Sequence, residues 1–154
     1  MKKSLWIFFC FIASLFTLSA QSTQSVYAEL LGNGLVFSFN YDTRFQNTPN
    51  GLGGRIGLGY IGDDEHNAVL IPFQLNLLLG KNGRYFEIGA GATYVTGNAD
   101  LFDEDFDNLI GTMTFGYRRQ PVDGGFMWKI AITPIIAEGV FWPYYGGVSL
   151  GYAF

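Results

Sequence analysis

The single histidine of the chain, His66, lies in the run GDDEHNA beside Asp63, Asp64 and Glu65. An imidazole next to carboxylates is the pairing that a serine hydrolase uses, with the histidine as general base and a carboxylate to orient it. No serine sits nearby and none occupies a nucleophile motif, so the run reads as a solvated acidic loop. Asp103, Asp105 and Asp107 alternate in DLFDEDFDN like the first ligands of a calcium loop. That loop needs glycine at its sixth position for a sharp turn and glutamate at its twelfth for bidentate binding; Asn108 and Thr114 stand there instead, and the match fails. Gly-rich stretches at 51–59 and 89–91 come near a dinucleotide fingerprint, but no helical pattern follows them, so they read as close strand packing. The sequence therefore assigns no catalytic residue, no metal site and no cofactor, and the chain is not read as an enzyme.

The residues that do form a constellation are ionic, and each falls on the polar side of an alternating segment. Glu29, Asp42 and Glu87 are the acids; Arg44, Arg55, Arg118 and Lys129 are the bases. Alternation with period two puts residues i and i+2 on one face of a strand. If those polar faces turn toward one interior, the seven charges meet there and nearly balance. Buried unpaired, each would cost several kcal/mol, so pairing across the interior is expected, with hydrogen bonds to Asn40, Gln74 and Asn76.

The segments that would position them are amphipathic strands with the apolar side opposite the charges. Val26, Ala28 and Leu30 share one face, with Glu29 on the other. After Gly32-Asn33-Gly34, a tight turn or a bulge in one long strand, Leu35, Phe37, Phe39, Tyr41, Thr43 and Phe45 share a face against Ser38, Asn40, Asp42 and Arg44. Ile56, Leu58 and Tyr60 oppose Arg55. The odd positions Ile71 to Leu79 are apolar, with Gln74 and Asn76 between them, and Pro72 predicts a local irregularity or bulge because it cannot donate to a ladder. Phe86, Ile88, Ala90, Ala92 and Tyr94 oppose Glu87. Leu109, Met113, Phe115 and Tyr117 oppose Thr112, Thr114 and Arg118. Phe126, Trp128, Ile130 and Ile132 oppose Lys129 and Thr133, and AEGVFWP links this strand to the last, Tyr144 to Phe154.

The pattern predicts an all-β fold: an eight-stranded antiparallel up-and-down transmembrane β-barrel. Strands of about 9 to 11 residues, tilted, cross a bilayer's hydrocarbon. The aromatics Phe45, Tyr60, Phe86, Tyr94, Tyr117, Trp128, Trp142, Tyr144 and Phe154 would form girdles at the interfaces. Short turns between strands two and three, four and five, and six and seven, against longer or more acidic links elsewhere, place both termini in the periplasm. An eight-stranded interior is just wide enough for side chains to fill, so a plugged lumen is expected rather than a pore.

Residues 1–20 read as a cleaved signal peptide: Lys2 and Lys3, then an apolar run, then small residues, with cleavage after Ala20 or Ser22 both fitting. A membrane-anchor helix would need a longer run. Cys10 lies in this leader, so residues 21–154, the barrel domain, contain no cysteine and form no disulfide. Without Lys2 and Lys3, seven basic residues face thirteen acidic ones, a formal net charge of −6. Such a surface repels polyphosphate and argues against nucleic acid as a partner.

The leader, the GNG turn with NYDTRF, the GYRRQPVDGGF turn and the terminal GVSLGYAF together resemble the small outer-membrane β-barrel proteins common in Bacteroidetes-type bacteria, with OmpA/OmpX-type architecture. The resemblance implies integral residence in the bacterial outer membrane with lipid as its surroundings. It also implies recognition by the barrel assembly machinery through Phe154, with Tyr152, Leu150 and Val148 behind it. It carries over no catalytic residue, and the implied role is structural or one of surface interaction through the loops, with an unidentified partner. The rival readings are a soluble ligand-binding barrel, which would invert the two faces, a lipid-modifying enzyme of the outer membrane, and a narrow channel.

Overall fold

The computed structural model describes residues 21–62, 67–97, 108–137 and 140–154. Alternation produces strands throughout: β1 (Gln24–Leu31), β2 (Phe37–Arg44), β3 (Gly51–Gly62), β4 (Asn67–Lys81), β5 (Arg84–Gly97), β6 (Leu109–Arg119), β7 (Gly125–Ile132), β8 (Ile135–Ala137), β9 (Val140–Trp142) and β10 (Gly146–Ala153). Each of β1 to β6 pairs antiparallel with the next, β7 pairs with β10, and β10 pairs with β1. That circuit is a closed eight-stranded antiparallel barrel, which leaves no free edge around its girth. The signal-peptide reading of residues 1–20, together with His66, Asp103, Asp105 and Asp107, lies outside the described residues.

The short β8 and β9 form a ribbon that extends the barrel wall, pairing Ile136 with Phe141 and standing against Gly111 and Thr112 of β6. AEGVFWP is therefore partly strand, not only a link. Residues 143–145 hold one residue more than the chain opposite, as the registers Ile135 to Trp142 and Ile132 to Gly146 require. This is a bulge, which changes the face that side chains present on either side of it. The expected final strand from Tyr144 consequently begins at Gly146, and Trp142 shares a face with the inward Ile135 instead of continuing the outward row of Val148 and Leu150. Pro72 interrupts the ladder to β3, where Gly57 and Leu58 lack partners, but the register is unchanged on either side of it, so no bulge forms.

Gly32–Gly34 is a turn of 3-10 helix joining β1 to β2, and it folds into the barrel, with all three residues buried. Leu31 and Leu35 flank it at φ 59° and 61°, the left-handed region that side chains rarely adopt. Leu35, expected on the outward face, is instead buried against Leu70, Ile110 and Ile135. The reason is that the turn breaks the period of two, and only β2 proper keeps it. A second small apolar cluster, Tyr27, Met127 and Ala153, lies toward the end that carries the termini.

Candidate functional site

All seven ionic residues point into the barrel, and none is more than 6% exposed. Alternation places them. Glu29 follows Ser25 and Tyr27 on the inner side of β1, Asp42 and Arg44 sit two apart on β2, and Arg55, Glu87, Arg118 and Lys129 take one inward position each on β3, β5, β6 and β7.

They form one continuous chain of alternating sign. Arg44 Nη2 lies 2.5 Å from Asp42 Oδ1, and Asp42 Oδ2 lies 3.3 Å from Arg118 Nη1. Arg118 then reaches Glu87 at 3.4 Å, and Glu87 meets Lys129 Nζ at 3.3 Å. Lys129 also reaches Glu29 Oε2 at 3.4 Å, and Glu29 ends the chain on Arg55 Nη1 at 2.9 Å. Every acid thus stands between two bases, which is the arrangement that lowers the energy of buried charge most effectively when water is excluded.

Neutral groups complete the network. Asn76 Nδ2 donates to Asp42 Oδ2 at 2.5 Å while its Oδ1 accepts from Arg44. Ser25 Oγ accepts from Arg118 at 2.7 Å, and Ser149 Oγ donates to Glu29 at 3.2 Å. Of the three amides expected to serve the charges, only Asn76 does so. Asn40 bonds Ser38, and Gln74 bonds Thr114.

Sequence reasoning missed Tyr27. Its buried ring has Lys129 Nζ at 5.0 Å and the guanidinium carbons of Arg118 and Arg55 at 5.9 and 6.0 Å from its centroid. Its hydroxyl accepts from Arg55 Nη1 at 3.2 Å. Four bases meet three acids in this lumen, and the negative face of the ring helps to offset the surplus cation. The signal was available, because Tyr27 has the parity of Glu29.

Asn33 was missed as well, and it closes the lumen at the end where β1 turns into β2. Its backbone N–H donates to Glu29 Oε1 at 2.8 Å, its carbonyl accepts from Thr93 Oγ1, and its Oδ1 accepts from Thr114 Oγ1 at 3.1 Å. Tyr145 O–H donates to the Leu35 carbonyl beside it. At the other end, Gln120 Nε2 donates to the Ser22 carbonyl at 2.6 Å, and the Ser22 N–H donates to the Val122 carbonyl at 2.7 Å. Buried polar side chains thus extend from the Asn33 turn to Ser22, and among them Asn33 Nδ2 and the Nε atoms of Arg44, Arg55 and Arg118 have no hydrogen-bond partner among the described residues.

No family model matches the chain, nor does any curated protein or solved structure.

The outer face has the opposite character. Phe39, Leu58, Leu75, Phe126, Ile130 and Leu150 are each more than half exposed, and all stand on the outside of the wall. Of the proposed terminal recognition residues, Val148, Leu150 and Tyr152 lie exposed on this outer face of β10, and Phe154 closes the chain beside Gln24, whose carbonyl accepts from its N–H at 2.9 Å.

Proposed function

We propose that this protein is an integral outer-membrane β-barrel, exported by a cleaved leader at residues 1–20. Its role is structural or one of surface interaction through its loops, and its lumen is plugged. The reading rests on one observation: a closed barrel buries seven charged groups inside and carries a broad apolar surface outside. In water that surface would cost free energy in proportion to its area, at about 25 cal/mol per Å². In hydrocarbon it is the ordinary surface of a spanning barrel, and closure pairs the strands around the whole wall, leaving no open edge.

A soluble ligand-binding barrel would need the reverse arrangement, a hydrocarbon lumen under a polar exterior, and the ion chain occupies that place. A narrow channel is disfavoured by the Asn33 turn at one end and Ser22 with Gln120 at the other. The barrel assembly machinery, engaging the outer face of β10, is the proposed partner in biogenesis, and lipid is the proposed partner thereafter. Carbonate extraction combined with gel mobility before and after boiling tests this reading. The protein is expected to stay with the membrane pellet and to shift on heating; release into the supernatant without a shift would reject it.

A further inference from the structure

Three basic residues stand in one cross-strand row at the rim that carries the termini. Lys81 pairs with Arg84, and Arg84 pairs with Arg119. Alternation fixes their direction. Lys81 follows Leu79, Arg84 precedes Phe86, and Arg119 follows Tyr117, all three of which are exposed on the outer face. The row therefore lies on the outside of the wall, directly beneath the apolar belt. Lys81 and Arg84 are exposed, and Arg119 Nη1 is held by the carbonyls of Asn82 and Gly83 at 3.1 and 3.2 Å.

Like charges directly opposite one another in a sheet repel. Among the described residues no carboxylate pairs with any of the three, and Asp123 is the one acid in the turns of this rim. The lumen, by contrast, places a carboxylate between each pair of bases. A row of cations left without internal counter-charge, at the level where hydrocarbon gives way to headgroups, fits a ligand that brings apolar chains and a negative charge together.

We propose that Lys81, Arg84 and Arg119 form a rim site for the phosphate of an anionic phospholipid, whose acyl chains lie along Leu79, Phe86 and Tyr117. The inference rests on the outer-membrane reading and deepens it by naming the lipid. The stems of the three basic residues lie against the belt while their heads reach the phosphate, the geometry by which long basic side chains serve an interface. Given termini in the periplasm, the lipid belongs to the inner leaflet of the outer membrane.

Trp128 is the natural reporter, because it is the cross-strand partner of Arg119 and lies on the outer face. The full chain carrying Trp6→Phe and Trp142→Phe, purified from membranes, would be placed in bilayers mixing unlabelled phosphatidylcholine with brominated-chain phosphatidylglycerol or brominated-chain phosphatidylcholine. Quenching of Trp128 gives the affinity of its surroundings for one lipid relative to the other. A preference for phosphatidylglycerol of roughly fivefold is expected, about what one basic side chain near an anionic surface supplies. It should fall toward one in Lys81→Gln/Arg84→Gln and at high salt. Arg119 is left in place because it braces the turn, and heat-modifiable mobility checks that the variant folds. Equal affinities in the parent protein, or a preference unchanged in the variant, would overturn the rim site while leaving the membrane reading intact. Quenching by neither brominated lipid would overturn the membrane reading and the rim site with it.

Discussion

Asp42 is the most heavily engaged carboxylate in the lumen, holding Arg44, Arg118 and Asn76 at once. Asp42→Asn would leave two buried guanidinium groups facing a neutral amide. The expected loss is about 3–5 kcal/mol of unfolding free energy, measured by urea titration in lipid vesicles. The links are also interdependent. Glu87→Gln alone leaves Lys129 with Glu29 and Arg118 with Asp42 as their one remaining acid each, whereas Glu87→Gln with Lys129→Met removes one charge of each sign. The double variant should therefore lose less than its two single variants together, and strict additivity would argue against a continuous chain. Tyr27 separates ring from hydroxyl: Tyr27→Phe gives up one hydrogen bond, about 1 kcal/mol, while Tyr27→Leu also gives up the aromatic face near three cations and should cost about 2 kcal/mol or more in the same titration. Which residues face inward was readable from parity alone. Which acid meets which base was not, because pairing depends on the stagger of neighbouring strands, and the sequence offers no marker for it.

At the scale of elements, the turn between β1 and β2 sets the limit of what alternation reveals. A period of two describes a strand and stops describing anything once the chain turns, so Leu35 has the parity of the outward Phe37 although it anchors the turn inside. The GNG run signalled a reversal, but nothing local indicated that it would fold into the lumen; that follows from Glu29, Thr93 and Thr114 offering partners to Asn33. Two substitutions divide backbone strain from packing. Leu31→Gly relieves a left-handed leucine that is 48% exposed and should stabilise by about 0.5–1 kcal/mol. Leu35→Ala keeps the unfavourable backbone and empties a buried site, and should destabilise by about 2–3 kcal/mol. The other departures have the same origin. Pro134 ends β7 as a regular element, yet its carbonyl still accepts from the Met113 N–H at 3.0 Å, and the extra residue at 143–145 redirects Trp142.

For the molecule as a whole, charge is sorted along the barrel axis. The connections between β3 and β4, β5 and β6, and β8 and β9 carry nine acids and no lysine or arginine. The opposite rim holds Lys81, Arg84 and Arg119, and among residues 21–154 the lumen holds the remaining acids and bases apart from Asp123. A loop end of this kind repels polyanions and suits a cationic partner, whereas the opposite rim suits phosphate. With the lumen plugged as proposed, the barrel should pass no ions. In planar bilayers the protein is expected to show no steady current steps, and regular steps would mean that the Asn33 turn or the Ser22 seal yields. The overall architecture was legible because a barrel repeats one rule, apolar outward and polar inward, in every strand.

Contact of the outer face with hydrocarbon, as proposed, can be tested position by position with single spin labels, because residues 21–154 lack cysteine. Residues 21–154 refolded into vesicles would carry a labelled cysteine in turn at Val148, Ser149, Leu150 and Gly151 of β10, with collision rates measured against oxygen, which concentrates in hydrocarbon, and against a water-soluble nickel chelate. Positions 148 and 150 are expected to collide freely with oxygen and hardly with nickel, and 149 and 151 to be shielded from both. Free collision with nickel at 148 and 150 would place the apolar wall in water and contradict the account.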